Sequence, residues 1–207
     1  MSLNMRSELR LFQPIILVLI FLVPVFFTVS AAELGAFQEV EIEKLDKKDF
    51  DFPNDLNAKS LNIVLLAMSK EQDNGTAQGD ALVEWYAALE EEGLLTDEVL
   101  AWHFSVMKVP FFVKGLIRGG LADSYEGKLP LNQAGPIYVK DIDKFAQSAG
   151  IELDGQPSIV LVSPDGELLE LFKGDVSEER VATIVAAVNK YLSATSMPAP
   201  APSSTPM

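Results

Sequence analysis

Cysteine is absent from all 207 residues. The chain therefore has no disulfide, no thiolate nucleophile, no Fe–S ligand and no Cys-bound zinc. Histidine occurs once, at His103, so no site built on several imidazoles exists. Basic residues are few: 16 Lys and Arg stand against 30 Asp and Glu, for a net charge of −14. Such a field repels phosphate backbones, and nucleic acid is not an expected partner. Asp141-Ile142-Asp143 lacks the further ligands and the glycine of an EF-hand loop. No nucleophile-elbow motif supports a Ser/His/Asp triad. No cofactor and no metal are expected.

What is present begins with a targeting segment. Arg6 and Arg10 precede a run from Leu11 to Ala32 without a charge. Val29-Ser30-Ala31 and Ser30-Ala31-Ala32 offer small residues where a signal peptidase inspects. The run is also long enough to span a bilayer, which takes ~20 apolar residues. Residues 1–32 therefore read as a signal peptide cleaved near Ala31/Ala32 or as an uncleaved anchor. Either way the rest is exported, periplasmic or secreted in the first case and membrane-anchored outside in the second. Membrane contact is expected only through residues 11–32, if they are retained. At the other end, residues 193–207 are uncharged and rich in Pro and Ser, a composition that reads as a disordered tail.

Between these ends, residues 33–57 read as a strap with an edge strand at Val40-Glu41-Ile42-Glu43, with Phe50, Phe52 and Leu56 lying over the domain and Pro53-Asn54 turning. Residues 58–192 read as the domain. The apolar run from Leu61 to Met68 suits a strand buried on both faces. Ser69 to Thr76 is polar, with a turn at Asn74-Gly75, and Ala77 to Glu92 has helical spacing stopped by Gly93. Val99 to Met107 is a second strand. Pro110 to Ala122 is a helix carrying Phe112, Leu116 and Ile117, loosened at Gly119-Gly120. A strand over Pro136–Lys140, a helix from Asp141 or Ile142 to Ser148, a hairpin around Ser163-Pro164-Asp165-Gly166 and a helix capped by Ser177 complete the order. Parallel crossovers followed by an antiparallel pair require a mixed sheet with helices on both faces.

Gly155-Gln156-Pro157 before Ser158–Val162, then Asp165-Gly166, Gly174 and Ser177-Glu178-Glu179, resembles the ending of thioredoxins and peroxiredoxins. The resemblance implies an α/β thioredoxin-like three-layer sandwich over residues 58–192. In that superfamily the proline at the Pro157 position is usually cis and faces the active-site loop, which follows the first domain strand. Here that loop reads Ser69-Lys70-Glu71-Gln72-Asp73 and has no cysteine, so thiol–disulfide and peroxidase chemistry are excluded. Pro110, Phe112-Val113-Lys114, Val139 with Asp141, and Asp165-Gly166 are similar to exported YtfJ-type proteins. Trp85 and Ile117-Arg118 carry a fainter likeness to a mitochondrial ATP synthase assembly factor.

The candidate binding residues are Ser69, Lys70, Glu71, Gln72, Asp73, Gln156 and Pro157. The loop lies where ligands of open α/β sheets bind, at the C-terminal end of a central strand. The expected occupant is a protein or peptide partner, held in part by backbone hydrogen bonds from an edge strand or from the groove beside Pro157. Two alternatives stand beside this assembly or accessory role. One is a thiol-independent enzyme of the same fold, using carboxylates or His103 on a small molecule. The other is a membrane-tethered structural domain. A core histidine is the simpler reading of His103, and Asn74-Gly75-Thr76 matches a glycosylation sequon.

Overall fold

A computed structural model describes residues 34–195. The signal or anchor at 1–32 and the chain beyond residue 195 lie outside the described residues. Among the described residues no helix is long and apolar enough to cross a membrane.

The strap comes first and is itself a small sheet: β1 (Val40–Glu43) pairs antiparallel with β2 (Asp49–Phe52). Then follow β3 (Leu61–Met68), α1 (Gln72–Glu91) and β4 (Val99–Met107). A short 3-10 turn over Phe111–Val113 leads into α2 (Lys114–Tyr125), then β5 (Ala134–Tyr138) and α3 (Ile142–Ser148). The chain closes with β6 (Ser158–Val162), β7 (Leu168–Lys173) and α4 (Glu178–Thr195). The main sheet has the order β5-β4-β3-β6-β7. The β3–β4 and β4–β5 pairs are parallel, and the β3–β6 and β6–β7 pairs are antiparallel.

Every residue of β3 is buried, as its unbroken apolar run requires of a strand covered on both faces. Val64, Leu66 and Met68 face one core with Trp102, Phe104, Phe145, Phe50 and Phe52. Ile63 and Leu65 face the other with Trp85, Leu82, Leu89, Ile184 and Val188. The first layer is closed by α3 and the strap. Phe52 sits edge-on to Phe104 with centroids 5.1 Å apart, and Phe50 lies 4.9 Å from Trp102. The strap is therefore a structural lid on that core, where offset and edge contacts add to area burial. The second layer is closed by α1 and α4. There Trp85, fully buried, donates its indole N–H to the Gly174 carbonyl at 2.9 Å.

Three sequence expectations change. Helix α1 begins at Gln72, so Asn74-Gly75 lies in its first turns and is not a separate turn. Asp73 suits that position because an acid near a helix N-terminus is favoured. Helix α2 runs through Gly119-Gly120 to Tyr125, which its buried ring anchors. Along this stretch Phe112 and Leu116 are 84% and 79% exposed. Helix α4 takes in residues 193–195, where the composition reads as tail.

Candidate functional site

Because β3, β4 and β5 are parallel, their C-terminal residues Met68, Met107 and Tyr138 reach the same edge of the sheet. Strand β6 is antiparallel to them and starts there. The segments 69–71, 108–113, 139–141 and 149–157 consequently gather at one edge, the place where such sheets hold ligands.

A buried amide fixes that edge. Gln78, 2% exposed, accepts the Met68 N–H at 2.8 Å and donates to the Met68 carbonyl at 3.2 Å. Its amide nitrogen also donates to Asn74 Oδ1 at 2.8 Å. Asn74 in turn donates to the Gly155 carbonyl at 3.0 Å. The chain of bonds ties the end of β3, the start of α1 and the turn before Pro157 into one unit. Gly155 itself has φ +82, a conformation that favours glycine. Gln78 is not among the residues that the sequence marks for this edge. A glutamine on the buried stripe of an amphipathic helix, four residues after Asn74, is the signal that could have found it, because buried polar groups need partners.

The seven candidate residues are thus brought to one edge, but they do different things. The Ser69 hydroxyl accepts the Glu71 N–H at 3.0 Å. Lys70 is bound to Asp143 on α3 at 2.7 Å. Glu71 is the N-cap of α1, in extended conformation with no side-chain cap bond. Nothing from the side chain there closes the helix start, which leaves first-turn N–H groups for solvent or a ligand. Glu71, Gln72, Asp73 and Gln156 are exposed, and Pro157 is buried.

The backbone beside Pro157 is already committed. The Gln156 N–H donates to Asp154 Oδ1 at 3.1 Å, and the Pro157 carbonyl accepts the Gly174 N–H at 3.0 Å. The expected groove hydrogen bonds are therefore not on offer from those two groups. The Gln156–Pro157 bond is trans, unlike the superfamily pattern; among the described residues the cis bond is Phe52–Pro53. Asn74 lies in the first turn of α1 and its amide nitrogen is engaged by the Gly155 carbonyl, so the sequon asparagine does not stand free on a loop.

Lys173 braces the same turn, lying 2.7 Å from Asp154 and donating to the Glu152 carbonyl at 2.6 Å. Burial works to raise the Asp154 carboxyl, but the Lys173 and Gln156 hydrogen bonds outweigh it and hold it below the usual range. Tyr138, at the end of β5, donates to the Lys114 carbonyl at 2.7 Å. Its burial pushes the phenol up to about 12, with Arg118 pulling down and Glu43 pushing up.

His103 is 1% exposed, under α1, with Nε2 at 3.4 Å from the Gly79 carbonyl and its ring edge-on to Tyr125. Burial lowers its pKa to about 4, against smaller backbone contributions. It is a neutral core residue, away from the candidate edge residues. Among the described residues no cluster of three or more His, Asp or Glu side chains is placed to hold a metal ion.

No family model and no curated protein matches the chain. Solved structures do. A copper-bound yeast Sco1 structure superposes with a TM-score of 0.53 at 14% identity, covering 79% of this chain and 98% of that one. A SCO1/SenC family lipoprotein from Bacillus anthracis gives 0.51 at 12% identity, covering 76% and 95%. At these identities the likeness shows the fold: this is a thioredoxin-like α/β protein, and it has no cysteine. The copper belongs to the yeast protein. Soft copper sites are built from thiolate, thioether and imidazole ligands, and here cysteine is missing and the single imidazole is buried beneath a helix. The residues present do not fit that metal, and no step is routed through it. The finer likeness to YtfJ-type proteins finds no support in these matches.

Proposed function

We propose that this is an exported, non-redox thioredoxin-fold module that binds a protein or peptide through the edge formed by Ser69–Asp73 and Gln156. The observation that carries the reading is the Asn74–Gly155 bond, which holds two exposed segments together with their side chains outward. The exposed Glu71, Gln72 and Gln156 side chains on this frame are available to a partner. Backbone pairing for an extended partner comes from the outer side of β7, one of the two outer strands of the main sheet. Export rests on the basic start and charge-free run of residues 6–32.

The test is a double substitution, Glu71→Ala with Gln72→Ala, read by recovery of partner from cells and by phenotype. Loss of both at unchanged melting temperature supports the site. Unchanged recovery and phenotype remove it.

A further inference from the structure

The most exposed large apolar side chains of the described residues stand together. Phe111 is 85% exposed, Phe112 84% and Leu116 79%, all on the 3-10 turn and first turn of α2. They are held in that pose. The Val113 N–H closes the turn on the Pro110 carbonyl at 3.2 Å, and the Tyr138 hydroxyl pins the Lys114 carbonyl at 2.7 Å. Two phenylalanines fixed outward form a projection, not a groove, so the surface inserts into something and does not receive a peptide.

The charge around the projection is the reverse of the rest of the protein. Val99 to Ala122 contains Lys108, Lys114 and Arg118 and no acid, the longest acid-free stretch among the described residues of a chain with net charge −14. Lys140 follows β5 at the same sheet edge and is exposed, as is Lys108. Two acids near it are paired, Glu43 with Arg118 and Asp143 with Lys70, while Glu71 and Asp73 stay exposed at the start of α1. Asp141 caps α3 through the Lys144 N–H. Lys114 bridges the two characters, its ammonium 5.8 Å from the Phe111 ring and 4.8 Å from that of Tyr138.

We infer that this projection docks on an anionic membrane surface, with Phe111, Phe112 and Leu116 entering the headgroup region and Lys108, Lys114 and Lys140 meeting lipid phosphates. Aromatic and leucine side chains ringed by Lys and Arg are what an interface between water and acyl chains selects. Each cation near an anionic surface raises partitioning about fivefold. The acidic remainder is repelled, but salt screens that repulsion beyond ~8 Å. The inference uses the β4 and β5 side of the same sheet edge and does not depend on Glu71, Gln72 or Gln156.

The missing cysteines make the test clean. Gly115 lies between the phenylalanines and Leu116, and a side chain there meets open space. Gly115→Cys carries a nitroxide, with Glu91→Cys at the far end of α1 as control. The full chain is reconstituted in vesicles of phosphatidylglycerol with phosphatidylcholine, and in phosphatidylcholine alone. Oxygen accessibility of the label at 115 exceeding that to a water-soluble nickel chelate in anionic vesicles, with the 91 label in water, is the expected result. Immersion is lost with Lys108→Glu plus Lys114→Glu. A label at 115 that stays in water on both vesicles overturns the proposal. So does burial of the label only when a protein partner is added, which would make the projection a protein interface.

Discussion

Asn74 and Gly155, 81 residues apart in sequence, are joined by a 3.0 Å hydrogen bond from the side-chain amide to the backbone carbonyl. The bond couples the start of α1 to the turn before β6, where thioredoxins hold their reactive loop and its facing proline. In this chain there are no thiols and the Gln156–Pro157 bond is trans; the Asn74–Gly155 bond ties the two segments together.

Asn74→Ala is expected to cost about 1 kcal/mol, the net worth of an ordinary hydrogen bond. Amide exchange at residues 154–157 should quicken, and binding by the edge should weaken. Gln78→Leu is expected to cost more, roughly 2 kcal/mol, because it strands the buried Met68 N–H as well. Denaturant unfolding with hydrogen exchange checks both.

His103 makes stability depend on pH. Unfolded, an imidazole titrates near ~6.5; folded, this one titrates at about 4 because burial disfavours its charge. Between those values the unfolded chain takes up a proton that the folded chain refuses. The contribution is intact above ~6.5 and is lost as pH falls toward 4, amounting to roughly 3 kcal/mol. His103→Leu should therefore lose less stability than the wild type between pH 7 and pH 4.5, measured by urea unfolding at each pH.

Gly79 faces the Tyr125 hydroxyl so closely that an added Cβ would lie 2.9 Å from it. Gly79→Ala gains helix propensity of about 1 kcal/mol, but displacing a buried ring costs ~1–3 kcal/mol. Net destabilisation is expected. Gly79→Ala combined with Tyr125→Phe should recover it, since the colliding oxygen is gone. Thermal melts of the single and double variants decide this, and equal losses in both would contradict the packing account.

An insulin-reduction assay on pure protein is expected to show no turnover, because the chain has no thiol to exchange. Activity that resists removal of contaminants would contradict the redox exclusion.

The fold was legible where periodicity is strong. The run Leu61–Met68 announced a strand buried on both faces, and Ser158–Val162 with Asp165-Gly166 announced the hairpin. The start of α1 was not legible, because Asn74-Gly75 is local turn chemistry that tertiary bonds from Gln78 and Gly155 override. The apolar residues Phe112 and Leu116 mark the 110–122 helix in the sequence, and only the three-dimensional arrangement shows that they are turned outward. The candidate residues were found by position on the fold. That Pro157 is buried and that the Gln156 N–H is taken by Asp154 depend on contacts no spacing rule encodes.

The most direct test of the binding account is photo-crosslinking in cells from a probe at Glu71, with a control probe at exposed Lys190, read by mass spectrometry. The account predicts a defined protein or peptide crosslinked from Glu71 and not from Lys190. Identical crosslinks from both positions, or none from Glu71, would contradict it.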